Sequence, residues 1–138
     1  MNRILLASHG VLASGMKQTL QLFVGESDRI EVMCAYVEDD MRSVVECIDE
    51  WNAQRSPEDW WIVVTDIFGG SVNNEFFARK ANDTFALIAG MNLGLLVELS
   101  TMLDRIGPED LGGLVARNRE SILLCEKIEP TTCDIEDF

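Results

Sequence analysis

Ile4-Leu5-Leu6-Ala7-Ser8-His9-Gly10 begins with four apolar residues and ends in a polar turn. The apolar run predicts a short buried strand, and residues 11–23 carry a helical pattern. His9, the single histidine among 138 residues, therefore lies where a strand passes into a helix. In open α/β sheets ligands and reacting groups gather at that edge. His9 is thus a candidate nucleophile, general base or metal ligand, and the alternative is a histidine that only satisfies the loop backbone.

The same alternation of strand and helix patterns continues along the rest of the chain. Acidic residues Asp39 and Asp40 precede the second helical pattern, as suits the positive end of a helix. Strands are predicted over 4–7, 30–37, 60–65, 84–89 and 122–125, and helices over 12–23, 41–51, 71–82, 93–103 and 109–119. This order favours a single α/β domain built on an open, doubly wound and mostly parallel sheet, with helices on both faces.

Charge and composition narrow the classes of function. The net charge of −13 argues against nucleic-acid binding and against anionic membrane surfaces, since both would repel the protein. The longest near-apolar stretch, residues 85–97, is too short to span a bilayer, and the apolar part of the N-terminus is too short for a signal peptide. The four cysteines lack zinc-site spacing, so no metal is expected. We expect a cytoplasmic protein without a cofactor.

A second polar strand end follows the third predicted strand, at Asp66. In a flavodoxin-like strand order, 2-1-3-4, the first and third strands are neighbours, so His9 and Asp66 would face each other across one crevice. A carboxylate beside an imidazole fixes its tautomer and raises the basicity of the far nitrogen. The alternative for Asp66 is an ordinary acid at a helix start or in a turn.

Gly69-Gly70-Ser71 follows Asp66 and opens the next predicted helix. Two glycines allow close backbone approach, and a helix N-terminus presents free N–H groups and a positive dipole. Ser71 adds a hydroxyl and is a candidate cap for the helix. Such a turn can bind a phosphoryl group, although Gly-Gly-Ser also opens many ordinary helices. Together with His9 and Asp66 it indicates phosphoryl transfer.

Competing motifs are missing from the sequence. It contains no G-x-x-x-x-G-K-[ST], no G-x-G-x-x-G and no G-x-S-x-G, which argues against a P-loop hydrolase, a dinucleotide enzyme and a serine esterase. A receiver-like module phosphorylated on Asp66 is a remaining alternative. Such modules need an acidic cluster near the first strand's end, where this chain has Ser8 and His9.

At these residues the chain resembles enzyme IIA of the mannose family of the bacterial phosphoenolpyruvate-dependent sugar phosphotransferase system. The resemblance extends to about Ile128 and leaves residues 129–138 as an acidic tail. The matching motifs are Ser8-His9-Gly10, Leu12-Ala13-Ser14-Gly15, Asp66, Gly69-Gly70-Ser71, Asn74 and Gly90-Met91-Asn92-Leu93.

The resemblance implies a phosphocarrier. His9 would accept a phosphoryl group on Nε2 from the phosphocarrier protein HPr and pass it to a IIB domain, while the membrane subunits IIC and IID act downstream. Asp66 would bond Nδ1 of His9, and Gly69, Gly70 and Ser71 would line the phosphoryl site. Loops containing Gly10, Ser14, Met91 and Asn92 would support them.

The family fold is a parallel sheet in the order 2-1-3-4, with a fifth, antiparallel strand exchanged between subunits of a homodimer. Residues 122–126 are the candidate for that strand, and the alternative is an edge strand in its own subunit. Val72 stands where the family usually has proline, and Gly94 stands where proline is frequent. Two related functions stay open as alternatives: a phosphotransfer subunit of a dihydroxyacetone kinase and a regulatory domain that senses phosphorylation.

Overall fold

A four-stranded parallel sheet lies at the centre of the computed structural model, which describes residues 1–82 and 84–126. Its strands are β1 (Asn2–His9), β2 (Ile30–Ala35), β3 (Trp60–Thr65) and β4 (Phe85–Ala89). They run parallel in the order β2-β1-β3-β4, which confirms the predicted fold class and strand order.

Five α-helices and one 3₁₀ turn connect and cover the strands. They are α1 (Leu12–Val24), α2 (Val44–Gln54), α3 (Ser71–Arg79), α4 (Leu93–Thr101), the 3₁₀ turn Pro108–Asp110 and α5 (Leu111–Arg119). The predicted start of α2 was wrong by three residues. Ser43 caps this helix by accepting a hydrogen bond from the Glu46 amide at 3.1 Å, whereas Asp40 pairs with Arg42 in the preceding loop.

Alternate residues of the central strands divide the core into two layers. Ile4 and Leu6 of β1 face α1, α4 and α5, while Leu5 and Ala7 face α2 and α3. β3 alternates in the same way, and all four of these β1 residues are almost fully buried. A strand that is covered on both faces has a nearly continuous run of apolar residues. For this reason β1 and β3 could be predicted from the sequence.

Residues 122–126 do not form the predicted strand within this chain. Ile122 and Leu124 are 84% and 77% exposed, and the segment pairs with no strand of the described residues. A strand needs a neighbouring backbone to satisfy its N–H and C=O groups. The alternative of an edge strand in its own subunit is therefore wrong for this chain, and exchange with a second subunit stays a prediction. The predicted domain end at residue 128 and the tail 129–138 lie outside the described residues.

No helix in the described part of the chain is long and apolar enough to cross a membrane.

Candidate active site at the carboxyl ends of β1 and β3

The ends of β1 and β3 bring His9 and Asp66 together. The last paired residues of these two strands are Ala7 and Thr65, and β1 continues along β2 to His9, so His9 and Asp66 follow that pair at the same edge of the sheet. His9 Nδ1 lies 2.7 Å from Asp66 Oδ2, and the same oxygen accepts a hydrogen bond from the His9 backbone N–H at 2.7 Å. One carboxylate oxygen therefore holds both the backbone and the ring of His9.

Asp66 is held as a carboxylate by its surroundings. Its side chain is only 10% exposed, and this burial raises the pKa of the carboxyl group. The hydrogen bonds from the amide and ring of His9 and from the Ile67 amide outweigh burial, so the net effect is a pKa below the usual value. An ionised Asp66 accepts a hydrogen bond from a protonated Nδ1. In a neutral ring the lone pair then lies on Nε2, at the opposite edge of the imidazole.

Ser71 lies on that other side of the ring. Its hydroxyl is 3.2 Å from His9 Nε2. The prediction that Ser71 caps α3 was wrong: Gly70 is the N-cap residue, and Ser71 is the first residue of the helix. The serine hydroxyl is therefore available to the ring and to whatever Nε2 binds, while the first N–H groups of α3 lack intrahelical acceptors.

The two glycines before α3 have different physical roles. Gly69 has φ of +83°, a left-handed conformation that glycine adopts without a Cβ clash. Gly70 has an ordinary φ, but a Cβ there would lie 2.8 Å from Ile67 Cγ2 and 3.2 Å from His9 Cε1. Gly69 thus makes the turn, and Gly70 lets the start of α3 approach the ring.

Residues beside β1 support the turn that carries His9. Ser8 is fully buried, and its hydroxyl accepts the Ala13 amide at 2.8 Å. Gly10, with φ of +59°, donates its N–H to the Ala35 carbonyl at 2.7 Å. Because Ala35 ends β2, this bond ties the His9 turn to the neighbouring strand.

Three further residues were predicted to support the site, namely Ser14, Met91 and Asn92. Ser14 lies in the first turn of α1 and lines a cleft with residues of β2 and α2. The Met91 amide donates to the Thr65 carbonyl at 3.0 Å, and Asn92 caps α4 by accepting the Leu95 amide at 2.8 Å. The Met91 bond anchors the β4–α4 turn to the end of β3, and the Asn92 bond stabilises the start of α4.

Asn73 and Asn74 stabilise the loop between β3 and α3. Asn73 is buried, and its amide donates to the Thr65 hydroxyl at 2.9 Å. Asn74 donates to the Gly69 carbonyl at 2.9 Å. The resemblance had marked Asn74, whereas Asn73 was not anticipated.

Tyr36 is the site residue that sequence reasoning missed. Alternation of side chains placed it inside β2, but that strand ends at Ala35 and Tyr36 begins the following loop with φ of +60°. Its ring stacks on the His9 ring with centroids 5.3 Å apart and an interplanar angle of 21°. Its hydroxyl lies 2.8 Å from Ser71 Oγ. The available signal was its place near the carboxyl end of the predicted second strand, as the only tyrosine of the chain.

Exposed apolar side chains lie on loops at the edge of the sheet that carries His9. Val11, Ile67 and Phe68 are 60% to 82% exposed, and all three belong to the loops that follow β1 and β3. We call these three residues the apolar rim. Within residues 1–82 and 84–126, no three histidine, cysteine or acidic side chains are grouped so that they could hold a metal ion.

Comparisons with known proteins identify the family of the chain. Residues 3–116 match the family model EIIA-man, described as the fructose IIA component of the phosphotransferase system (PTS). A search of curated proteins gave no match.

Solved structures from three bacteria are similar over nearly their whole length. A protein from Klebsiella pneumoniae, described as a phosphoenolpyruvate-dependent sugar PTS permease, is 33% identical with a TM-score of 0.84, over 91% of this chain and 92% of that one. A PTS IIA protein associated with the fucose utilization operon of Streptococcus pneumoniae is 32% identical with a TM-score of 0.69, over 89% and 92%. The mannose/sorbose-specific IIA subunit from Enterococcus faecalis is 23% identical with a TM-score of 0.67, over 94% and 98%, and so supports the fold alone.

Proposed function

The chain belongs to the mannose/fructose family of PTS IIA components, which transfer phosphoryl groups in bacterial sugar uptake, and on that premise we propose that His9 is its phosphoryl carrier. The observation that carries the proposal is the unequal use of the two ring nitrogens. Nδ1 is engaged by Asp66 at 2.7 Å, whereas Nε2 faces the Ser71 hydroxyl at the start of α3.

The proposed step is an in-line displacement at phosphorus. The Nε2 lone pair of neutral His9 attacks the phosphoryl group of the donor and forms a P–N bond, while the bond from phosphorus to the donor atom breaks and its electron pair leaves with the donor. The ring gains positive charge as the bond forms, and the ionised Asp66 beside Nδ1 compensates that charge. In a second displacement an atom of the acceptor protein attacks the phosphorus, the P–N bond breaks, and its electron pair returns to Nε2, so that His9 is neutral again.

The turn before α3 is the proposed phosphoryl site. Gly69 and Gly70 bring the helix N-terminus against the ring, and Ser71 supplies a hydroxyl. Free N–H groups at a helix start stabilise the negative oxygens of a phosphoryl group without a cation. These groups act through placement, which is the main requirement of phosphoryl transfer.

Asp66 is a poorer phosphoacceptor than His9. Its Oδ2 already receives two hydrogen bonds from His9, and its Oδ1 receives the Ile67 amide at 2.9 Å. The His9 side chain is 41% exposed, compared with 10% for Asp66. This difference supports the histidine over the receiver-like alternative.

The proposed partners are the phosphocarrier protein HPr as donor and a IIB domain as acceptor, with IIC and IID reached indirectly through IIB. The apolar rim at the edge of the sheet that carries His9 suits a protein partner, because exposed apolar side chains near a reactive group favour docking. The cycle would take place in the cytoplasm, and the protein would act as a homodimer with residues 122–126 exchanged between subunits.

The experiment is phosphorylation with phosphoenolpyruvate, enzyme I and HPr. The wild type should be labelled, and His9→Ala should not be. The bond should be labile in acid and stable in alkali, as a phosphoramidate is. Label that persists in His9→Ala would show that another residue is the acceptor.

Two further results separate the alternatives. Label that is labile in alkali, persists in His9→Ala and disappears in Asp66→Asn would identify an acyl phosphate and a receiver-like module. Phosphorylation of His9 without onward transfer to a cognate IIB domain would indicate a regulatory sensor instead of a carrier.

A further inference from the structure

We propose that Tyr36 is a positioning residue for the reaction at His9, and that it holds both the imidazole ring and the Ser71 hydroxyl. The inference rests on the proposed function of His9 as phosphoryl carrier. It concerns a residue that acts through its neighbours, because the contacts of Tyr36 are with His9 and Ser71.

Tyr36 completes a three-sided restraint on the imidazole. Asp66 holds one edge of the ring through Nδ1 at 2.7 Å, and Ser71 lies 3.2 Å from Nε2 at the opposite edge. Tyr36 covers a face, with centroids 5.3 Å apart and planes inclined by 21°. An edge contact alone permits the ring to swing about the Cβ–Cγ bond, whereas a stacked face opposes that rotation and keeps Nε2 directed at the phosphoryl site.

The Tyr36 hydroxyl controls the direction of the Ser71 hydroxyl. The two oxygens are 2.8 Å apart, and either one can be the donor. While Ser71 donates to Tyr36, the Nε2 lone pair stays free to attack. Once Nε2 carries the phosphoryl group, Ser71 can donate to a phosphoryl oxygen while Tyr36 donates to Ser71. Tyr36 thus offers Ser71 a partner in both states.

The backbone of Tyr36 indicates a positional requirement. Its φ of +60° is the single positive φ among the described non-glycine residues, and a tyrosine adopts it only against steric resistance. The register of β1 with β2 places His9 opposite Ala35, so the turn at Tyr36 directs its side chain back over the ring. Strain of this kind concentrates at functional sites.

Core packing does not account for the tyrosine. The residue is 61% exposed and belongs to neither of the two core layers. An exposed side chain held in a strained backbone conformation contributes little to stability through burial. Its contacts are directed at the reactive ring and its hydroxyl neighbour.

Two variants separate the ring of Tyr36 from its hydroxyl. Tyr36→Phe keeps the stacked ring and removes the hydroxyl, whereas Tyr36→Asn removes both and tolerates a positive φ. Phe77→Asn is the matched control, because Phe77 is similarly exposed at 68% and lies on α3. Transfer from phospho-HPr is measured as separate kcat and KM values, together with thermal unfolding and the ¹⁵N signals of the His9 ring in the free protein.

We expect Tyr36→Asn to lower kcat by about tenfold, with KM for phospho-HPr and the unfolding midpoint almost unchanged. Tyr36→Phe should fall between this variant and the wild type, and Phe77→Asn should match the wild type. The ring nitrogens of His9 should show a fixed Nδ1–H tautomer in the wild type and shift toward the averaged signals of a free imidazole in Tyr36→Asn.

Three results would overturn the role of Tyr36. These are a wild-type kcat in Tyr36→Asn, a loss that appears only in KM and so marks a docking residue, and unchanged His9 ring signals. An unlabelled wild type would instead refute the proposed function itself. A labelled wild type with a fully active Tyr36→Asn refutes only this inference.

Discussion

The two ends of the β1–β3 pair carry closely similar polar contacts with very different surroundings. At the amino ends Arg3 Nε lies 2.7 Å from Asp59 Oδ2, and at the carboxyl ends His9 Nδ1 lies 2.7 Å from Asp66 Oδ2. The two carboxylates are similarly buried, with side chains 16% and 10% exposed. Distance and burial of the acid therefore do not distinguish a structural pair from a candidate reactive one.

The difference lies in the basic partner and in what it faces. The Arg3 guanidinium has no lone pair to offer to a substrate, and it also lies 5.8 Å from the centroid of the Trp61 ring. His9 has a second nitrogen, which faces Ser71 at the N-terminus of α3. A carboxylate beside a base prepares a reactive group only when the far side of the base is open to a substrate and lined by donors.

The largest expected effect comes from breaking the pair at the carboxyl ends. Asp66→Asn keeps the size of the side chain but removes the charge that fixes the Nδ1–H tautomer and compensates the phosphorylated ring. We expect phosphoryl transfer from phospho-HPr to fall on the order of a hundredfold, measured by rapid-quench labelling. Folding should be affected much less than transfer. An unchanged rate would contradict the orienting role of Asp66.

A smaller effect is expected from moving the ring without changing any charge. Gly70→Ala adds a Cβ that would lie 2.8 Å from Ile67 Cγ2 and 3.2 Å from His9 Cε1, in a backbone conformation that alanine accepts. The exposed Ile67 side chain and the ring must both shift, so we expect transfer to slow by about tenfold with only a small loss of stability. Gly112→Ala on α5 is the control, because an added Cβ there meets no atom within 4 Å. If both variants transfer at the wild-type rate, close approach at Gly70 is not needed.

The smallest effect on transfer is expected at the amino ends. Asp59→Asn should leave phosphoryl transfer unchanged and lower the unfolding midpoint slightly at neutral pH. Hydrogen bonds from the Met1 amino group and from Arg3 hold the pKa of the Asp59 carboxyl below its usual value. A lowered folded-state pKa gives stability that is present above the unfolded value of about 4 and is lost as the pH falls through the folded value.

Thermal unfolding between neutral pH and strongly acidic pH tests this assignment. The difference in midpoint between wild type and Asp59→Asn should be constant above about pH 4 and should shrink as the pH falls further. A difference in midpoint that persists in strong acid would contradict stabilisation by the ionised Asp59 carboxylate. Slower transfer in Asp59→Asn would show that the two ends of the strands are not separate in function.

Much of the fold could be predicted because neighbouring residues determine it. β3 was predicted with its correct bounds, and α1 and β2 with errors of one or two residues, since apolar periodicity depends only on spacing along the chain. The start of α2 was less accurate. Ser43, and not Asp40, caps α2, because the Asp40 carboxylate is bound by Arg42 in the preceding loop.

The sequence alone determined the four parallel strands and the five helices of the described residues, the alternation that makes a parallel sheet, and the residue types able to carry a phosphoryl group, because each follows from local pattern and side-chain chemistry. Only the tertiary structure decided that Ser71 faces His9 Nε2 instead of capping α3, and that Tyr36 leaves β2 to stack on the ring. Ser71 is 62 residues from His9 along the chain, and Tyr36 is 35 residues from Ser71. Such contacts depend on how three loops pack at one edge of the sheet, and no spacing along the chain specifies that packing.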